Sequence, residues 1–184
     1  MNTDRLHHPA DTAALTVTRI GHASQLIEID DLRILTDPWF TQTVTYYHGE
    51  PVAASVESLG RIDAVVVTHE HYDHCDLPAL VAGGFDLTTP LAGPGTVTAI
   101  AAHQGFADAR MIEAWESTSV GELTITATPG KHGVHEVTFV LQAKGARSSS
   151  AATRCGCRSS TRFPTGSATS TWRSSPPTAC AYVR

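Results

Sequence analysis

The amino-acid sequence predicts an α/β (α+β) sandwich, and three observations carry that prediction. Short apolar–polar alternations and β-branched runs recur in both halves of residues 15–143, which is the pattern of strands. Two segments with helical start and stop signals lie between them. Hydrophobic residues make up 41% of the 184 residues, enough to fill a core between layers.

Taken in order, residues 1–14 form a loose leader, with acids and histidines but no apolar stretch. Residues 15–20 alternate apolar and polar as a half-buried strand does. Residues 25–30 and 32–36 form a hairpin about Asp30-Asp31. Asp37-Pro38 ends it, because the residue before proline is pushed out of the helical region. Residues 38–60 are irregular and carry Trp39, Phe40, Tyr46 and Tyr47. A segment of that length without regular structure is often functional, and its aromatics either line a cleft or pack in the ordinary way. The run 62–67 is compact and β-branched, a buried strand. Residues 77–82 form a short helix with Asp76 at its N-cap and Gly83-Gly84 at its end. Residues 94–104 form a second helix, with proline in its first turn and Gly105 as its stop. Strands follow at 110–114, 123–128 and 137–143.

Composition then breaks. Residues 1–146 hold all 18 acids, all 10 histidines and 7 of the 13 Lys and Arg. Residues 147–184 hold six Arg and no acid, with nine Ser, six Thr and three of the four Cys, and no Leu, Ile or Met. The domain is therefore expected over 15–146, with 147–184 an aberrant, unstructured tail. The net charge of −5 argues against a nucleic-acid binder working by charge alone, so no nucleic-acid partner is expected; a module using the Arg-rich tail is the other reading. No window approaches eighteen apolar residues, so no membrane span is expected. Without a secretory signal, four cysteines point to a reducing cytoplasm rather than a disulfide framework.

The chemistry concentrates in His69-x-His71-x-Asp73-His74, directly after the buried strand. Three imidazoles and a carboxylate in six residues suit zinc, manganese or iron. In an extended segment, residues i and i+2 share a face, so His69 and His71 can meet one ion. Asp73 and His74 then face a neighbouring position, giving one or two divalent ions, zinc foremost. Thr128-Pro129-Gly130-Lys131-His132 supplies a further imidazole at a strand end. His135 is its rival, and His132 is favoured because it follows the Pro-Gly turn directly. His22 lies between two strands, with Ser24 and Asp37 as candidate neighbours; it either supports the ligands from behind or is an ordinary core histidine. Asp37 either caps a turn or supports the site. Cys75 is a small buried residue rather than a nucleophile. His103 is expected on a solvated helix face, and His7 and His8 in the leader.

The His-x-His-x-Asp-His motif resembles the signature of the metallo-β-lactamase-fold hydrolase superfamily. Gly21-His22-Ala23-Ser24 with Leu35-Thr36-Asp37-Pro38 resembles the opening of one branch. That branch includes ascorbate-phosphate lactonase and N-acyl-phosphatidylethanolamine phospholipase D. The 128–132 segment is similar to the branch's third metal motif. The resemblance implies an αββα sandwich, of which this chain carries the first half and a little more, incomplete at the C-terminus. It implies that His69, His71 and His132 hold one metal, and that Asp73 and His74 hold part of a second. It also implies hydrolysis of a small-molecule substrate, a phosphoester or lactone, by metal-activated water, with Asp73 orienting that water.

The family's later bridging aspartate and final histidine have no counterpart, since no acid follows Glu136 and no histidine follows His135. Activity is therefore expected to be impaired, and a non-catalytic or truncated metal-binding homologue is the alternative. A tail rich in Ser, Arg, Thr and Pro is what a GC-rich gene yields out of frame. Read one base earlier, codons for residues 148–153 can spell Val-Phe-Phe-Gly-Gly-Asp, the missing strand and metal motif.

Overall fold

The computed structural model describes residues 15–41, 49, 51–143 and, as backbone, 153–154 and 180–183. The first sheet begins as an antiparallel meander of β1 (Leu15–Gly21), β2 (Ser24–Ile29) and β3 (Leu32–Thr36). Two-residue turns at His22-Ala23 and Asp30-Asp31 join these strands. Asp30 takes a left-handed φ of 54°, which a short polar side chain tolerates better than most. The sheet continues in parallel through β4 (Ala64–Val66), β5 (Leu91–Gly93) and β6 (Ala109–Met111), in the order β1-β2-β3-β4-β5-β6. Helix α1 (Leu77–Ala82) carries the chain from β4 to β5, and α2 (Gly95–His103) from β5 to β6.

The second sheet contains β7 (Ser117–Val120), β8 (Leu123–Pro129) and β9 (Val137–Ala143), all antiparallel. On the outer side of β9 lie β11 (Cys180–Val183), antiparallel to it, and then β10 (Thr153–Arg154). These two short strands fall in the stretch expected to lack structure. An open edge such as that of β9 leaves a row of amides and carbonyls to be paired, and β11 pairs them. The rest of the tail, the leader 1–14, Tyr46 and Tyr47 lie outside the described residues.

Alternation along the strands sorts side chains into two cores. Ile34, Ala64 and Val66 pack with Ile125, Ala127, Phe139 and Leu141 between the sheets. Leu35, Val65 and Val67, one residue out of phase, pack with Leu77, Leu80, Val97 and Ala101 of the helices. The layers are therefore helices, first sheet, second sheet, a mixed α/β sandwich. Residues 64–67 are buried on both faces, which is why their sequence is an unbroken apolar run rather than an alternation. Each fully buried Leu or Ile contributes about 1.5–3 kcal/mol. Among the described residues no helix is long and apolar enough to cross a membrane.

Candidate metal centre

Parallel pairing of β3 with β4 sets Thr36 against Val66, so the residues that follow leave the sheet at one edge. Asp37 donates its backbone N–H to the carbonyl of Val66 (3.0 Å). Its φ is +40°, left-handed and directly before proline, a conformation retained only where the surroundings over-determine it. Those surroundings are specific. The Asp37 carboxylate is buried and accepts from the Thr68 backbone N–H (2.7 Å) and the Thr68 hydroxyl (3.0 Å), with Nδ1 of His74 at 3.1 Å. The Asp37 carbonyl accepts the hydroxyl of buried Ser24 (2.5 Å), whose oxygen in turn receives the Trp39 N–H (2.8 Å). The two segments proposed as neighbours of His22 are thus tied to each other.

This network fixes the imidazoles. A carboxylate only accepts, so the Thr68 hydroxyl proton points to Asp37, and its oxygen receives the Nδ1–H of His69 at 2.9 Å. The Nε2 lone pair of His69 is left facing outward. It lies 3.2 Å from Nδ1 of His71, and that same Nδ1 lies 3.2 Å from Nε2 of His132. Two ligands about 2.0–2.1 Å from a tetrahedral zinc stand about 3.3 Å apart; both distances to His71 match that spacing, and ligand atoms of all three residues lie within 4.8 Å of one another. His135 points elsewhere, its Nε2 2.6 Å from Oε2 of Glu113. The reason is the loop after β8: Gly130 N–H bonds back to the carbonyl of Glu136 (3.1 Å), and His132 stands on the side facing His71.

A second group forms alongside. The chain turns after His71, with the N–H groups of His74 and Cys75 both donating to the His71 carbonyl (2.9 and 2.8 Å). Asp73 and His74 are thereby brought to His22, and one ligand atom from each of the three lies within 4.8 Å of the others. Nε2 of His22 is 3.2 Å from Oδ2 of Asp73, and Nε2 of His74 is 3.9 Å from the same oxygen. A cavity of about 600 Å³ opens over both groups, lined by His22, His71, Tyr72, Asp73, His74 and His132. Trp39 is buried and packs edge-on against His22, ring centroids 5.2 Å apart; its role is packing, and it does not line that cavity.

Burial, then the positive charge of His74, pushes the His69 pKa down to about 4, with Asp37 opposing. His69 is therefore neutral at pH 7 and offers a lone pair. Burial also pulls His74 down, but its hydrogen bond to Asp37 and the charges of Asp37, Asp73 and Glu136 outweigh that, and its pKa is raised. Burial, reinforced by Asp37, Asp76 and Glu70, pushes the Cys75 thiol up to about 12. A neutral thiol is a poor nucleophile, in keeping with a packing role.

Thr68 and Glu136 were not singled out by sequence, and Asp76 was expected only as a helix cap. Thr68 relays the Asp37 hydrogen bond to His69. Glu136 brings Oε1 to 4.0 Å from Nδ1 of His69. Asp76 stands at the N-cap of α1 but makes no side-chain cap there. Its carboxylate instead accepts the backbone N–H groups of Phe40 (3.1 Å) and Thr41 (2.8 Å), pinning the 38–41 segment beside the metal motif. His103 is exposed on α2 as expected.

The family model described as Beta-lactamase superfamily domain matches residues 32–155. An uncharacterised protein of Mycobacterium tuberculosis is 34% identical over 130 residues, covering 66% of this chain but 35% of its own length. The N-acyl-phosphatidylethanolamine-hydrolyzing phospholipase D 1 of Caenorhabditis elegans is 34% identical over 74 residues, 37% of this chain and 21% of that protein. Among solved structures, a metallo hydrolase of Ignicoccus hospitalis superposes with a TM-score of 0.55 at 20% identity, over 71% of this chain and 57% of that one. The isothiocyanate hydrolase from Delia radicum gut bacteria gives 0.55 at 23% identity, over 72% and 59%. These two share the fold.

Proposed function

The chain belongs to the beta-lactamase superfamily domain family, and from that premise we propose that it is a metal-dependent hydrolase acting on a phosphoester or lactone of a small metabolite. The observation that carries the reading is the convergence of ring nitrogens from His69, His71 and His132, the outer two each 3.2 Å from His71 and all within 4.8 Å of one another, beside an open cavity. The donor set fits a divalent cation: three imidazoles, one of them held neutral by burial, its second nitrogen engaged by Thr68. Zinc suits such a set best, with manganese or iron as substitutes. When bound, the cation supplies Lewis acidity and lowers the pKa of water.

The protein's own residues do the rest. Asp73 lines the cavity from the turn after His71, where its carboxylate can orient an attacking water. Asp37 and Thr68 hold the imidazoles in place, a support of the kind that tunes ligand basicity. The substrate class follows the phosphodiester chemistry named for the nematode phospholipase D relative and the lactonase branch that the motifs resemble.

The test is turnover of a generic phosphodiester and of a lactone panel by metal-stripped protein, before and after addition of Zn(II). Weak turnover restored by Zn(II), in keeping with the missing bridging aspartate and final histidine, is expected, with a further loss of about 10–100-fold or more in His69→Ala, since even supporting residues typically cost that much. Tight Zn(II) binding without turnover of either class would instead identify a metal-binding homologue without catalysis.

A further inference from the structure

We propose that His22 is a metal ligand, completing with Asp73 and His74 a second cation site beside the one formed by His69, His71 and His132. The inference rests on the metal-binding reading of the first site. Sequence placed His22 behind the ligands or in the core, but the β1–β2 turn lays it directly over the metal motif. Its Nε2 is 3.2 Å from Oδ2 of Asp73, and ligand atoms of all three residues lie within 4.8 Å. Two ligands on one ion stand about 3.0–3.4 Å apart at angles between octahedral and tetrahedral, so little movement closes the set. Two imidazoles and a carboxylate with an open face are the donor set of catalytic zinc and of non-haem iron sites.

The backbone supports the same assignment. His22 holds a left-handed φ of +49° in a two-residue turn, where Gly or Asn would be at ease. Its carbonyl accepts the Nε–H of Arg19 (3.2 Å), and its ring meets Trp39 and His74 edge-on at 5.2 and 5.3 Å. An imidazole kept in a strained position, and oriented by aromatic contacts, has a directional role. His74 is prepared in the same way, since its Nδ1 is 3.1 Å from Asp37 and its Nε2 is left for an ion. The His69 and His74 rings, one from each group, have centroids 4.1 Å apart, so the two sites share a wall. The three donors of the second site fall between residues 22 and 74.

The full chain, stripped of metal, is titrated with Co(II), with bound metal measured by elemental analysis and each site followed by its d–d absorption. Two equivalents are expected for the native sequence. His22→Gly should retain one; glycine accepts the left-handed turn without strain, so misfolding does not explain the loss. His71→Ala should lose the other equivalent and keep the one that depends on His22. One equivalent in the native chain, two in His22→Gly, or loss of both in a folded His22→Gly would each overturn the assignment. A native chain that binds no Co(II) at all overturns the metal-binding reading itself.

Discussion

The Asp37 side chain has no exposed surface, and the site is built around it. Its carboxylate serves Thr68 twice and His74 once, so its loss would leave several buried groups unpaired at about 1–3 kcal/mol each. Asp37→Asn keeps the volume but removes the charge and one acceptor. We expect a fold that survives and a metal affinity lower by about 10–100-fold, read by competition with a chromogenic chelator. His69 gives a second expectation. Its folded pKa of about 4 lies below its ordinary 6.5, so between these values the unfolded chain binds the proton more tightly. The metal-free protein therefore keeps this stability above about pH 6.5 and loses it as the pH falls toward 4. His74, raised, contributes with the opposite sign: stability present at low pH that fades as the pH rises through its folded value. Urea midpoints at pH 7 and pH 5 should thus differ less in His69→Gln than in the native chain; an unchanged difference would contradict the burial argument. At this scale the convergence of His69, His71 and His132 was legible because imidazole is scarce and chemically specific. Thr68 and Glu136 were not, and Asp76 was legible only as a helix cap, because their residue types occur everywhere and only position gives them a role. His22 was visible as a residue but not as a neighbour of Asp73, since nothing in local spacing connects a hairpin turn to a distant loop.

Among the elements, β5 controls how the metal motif leaves the sheet. Val67 N–H bonds to the Ala92 carbonyl (3.0 Å), and Gly93 follows at closest approach. A Cβ there would meet the Val67 carbonyl oxygen at 2.9 Å and Cγ1 of Val97 at 2.9 Å. Gly93→Ala should therefore push β4 and α2 apart, costing about 1–3 kcal/mol as overpacking does. Because Val67 leads into Thr68 and His69, we expect metal affinity to fall as well; denaturant unfolding and metal titration of the same variant measure both. Strands β1 to β4, β8 and β9 were legible from alternation or β-branched runs, and the two helices from their proline and glycine punctuation. The three residues of β5 and the polar Ser117–Val120 of β7 were not. A strand that short, or that exposed, is defined by the hydrogen bonds of its neighbours rather than by its own pattern. For the same reason β6 runs over Ala109–Met111 rather than 110–114, stopping where its parallel pairing with β5 stops.

Across the whole molecule, the break in composition after residue 146 was legible, but the pairing of β11 with β9 was not, because it depends on an edge formed by distant strands. The donors of the first site are also divided between distant parts. His69 and His71 follow β4 of the first sheet, whereas His132 belongs to the loop between β8 and β9 of the second. Apart from the Val137 N–H to Thr68 carbonyl bond (3.1 Å), this edge of the interface is joined mainly through side chains at the site. An ion bound there as proposed would act as a rivet through both sheets, and its binding free energy would be shared with tertiary structure. Metal supply then becomes a property that a protease can read. Lys131, exposed and adjacent to His132, offers trypsin a cleavage point that must loosen before it is cut. Zn(II) should slow cleavage after Lys131 in the native chain by at least about tenfold, the effect of some 1.4 kcal/mol, and should leave His132→Ala unprotected. In a metal-starved cell, survival of the chain would then depend on the rivet before any substrate arrived.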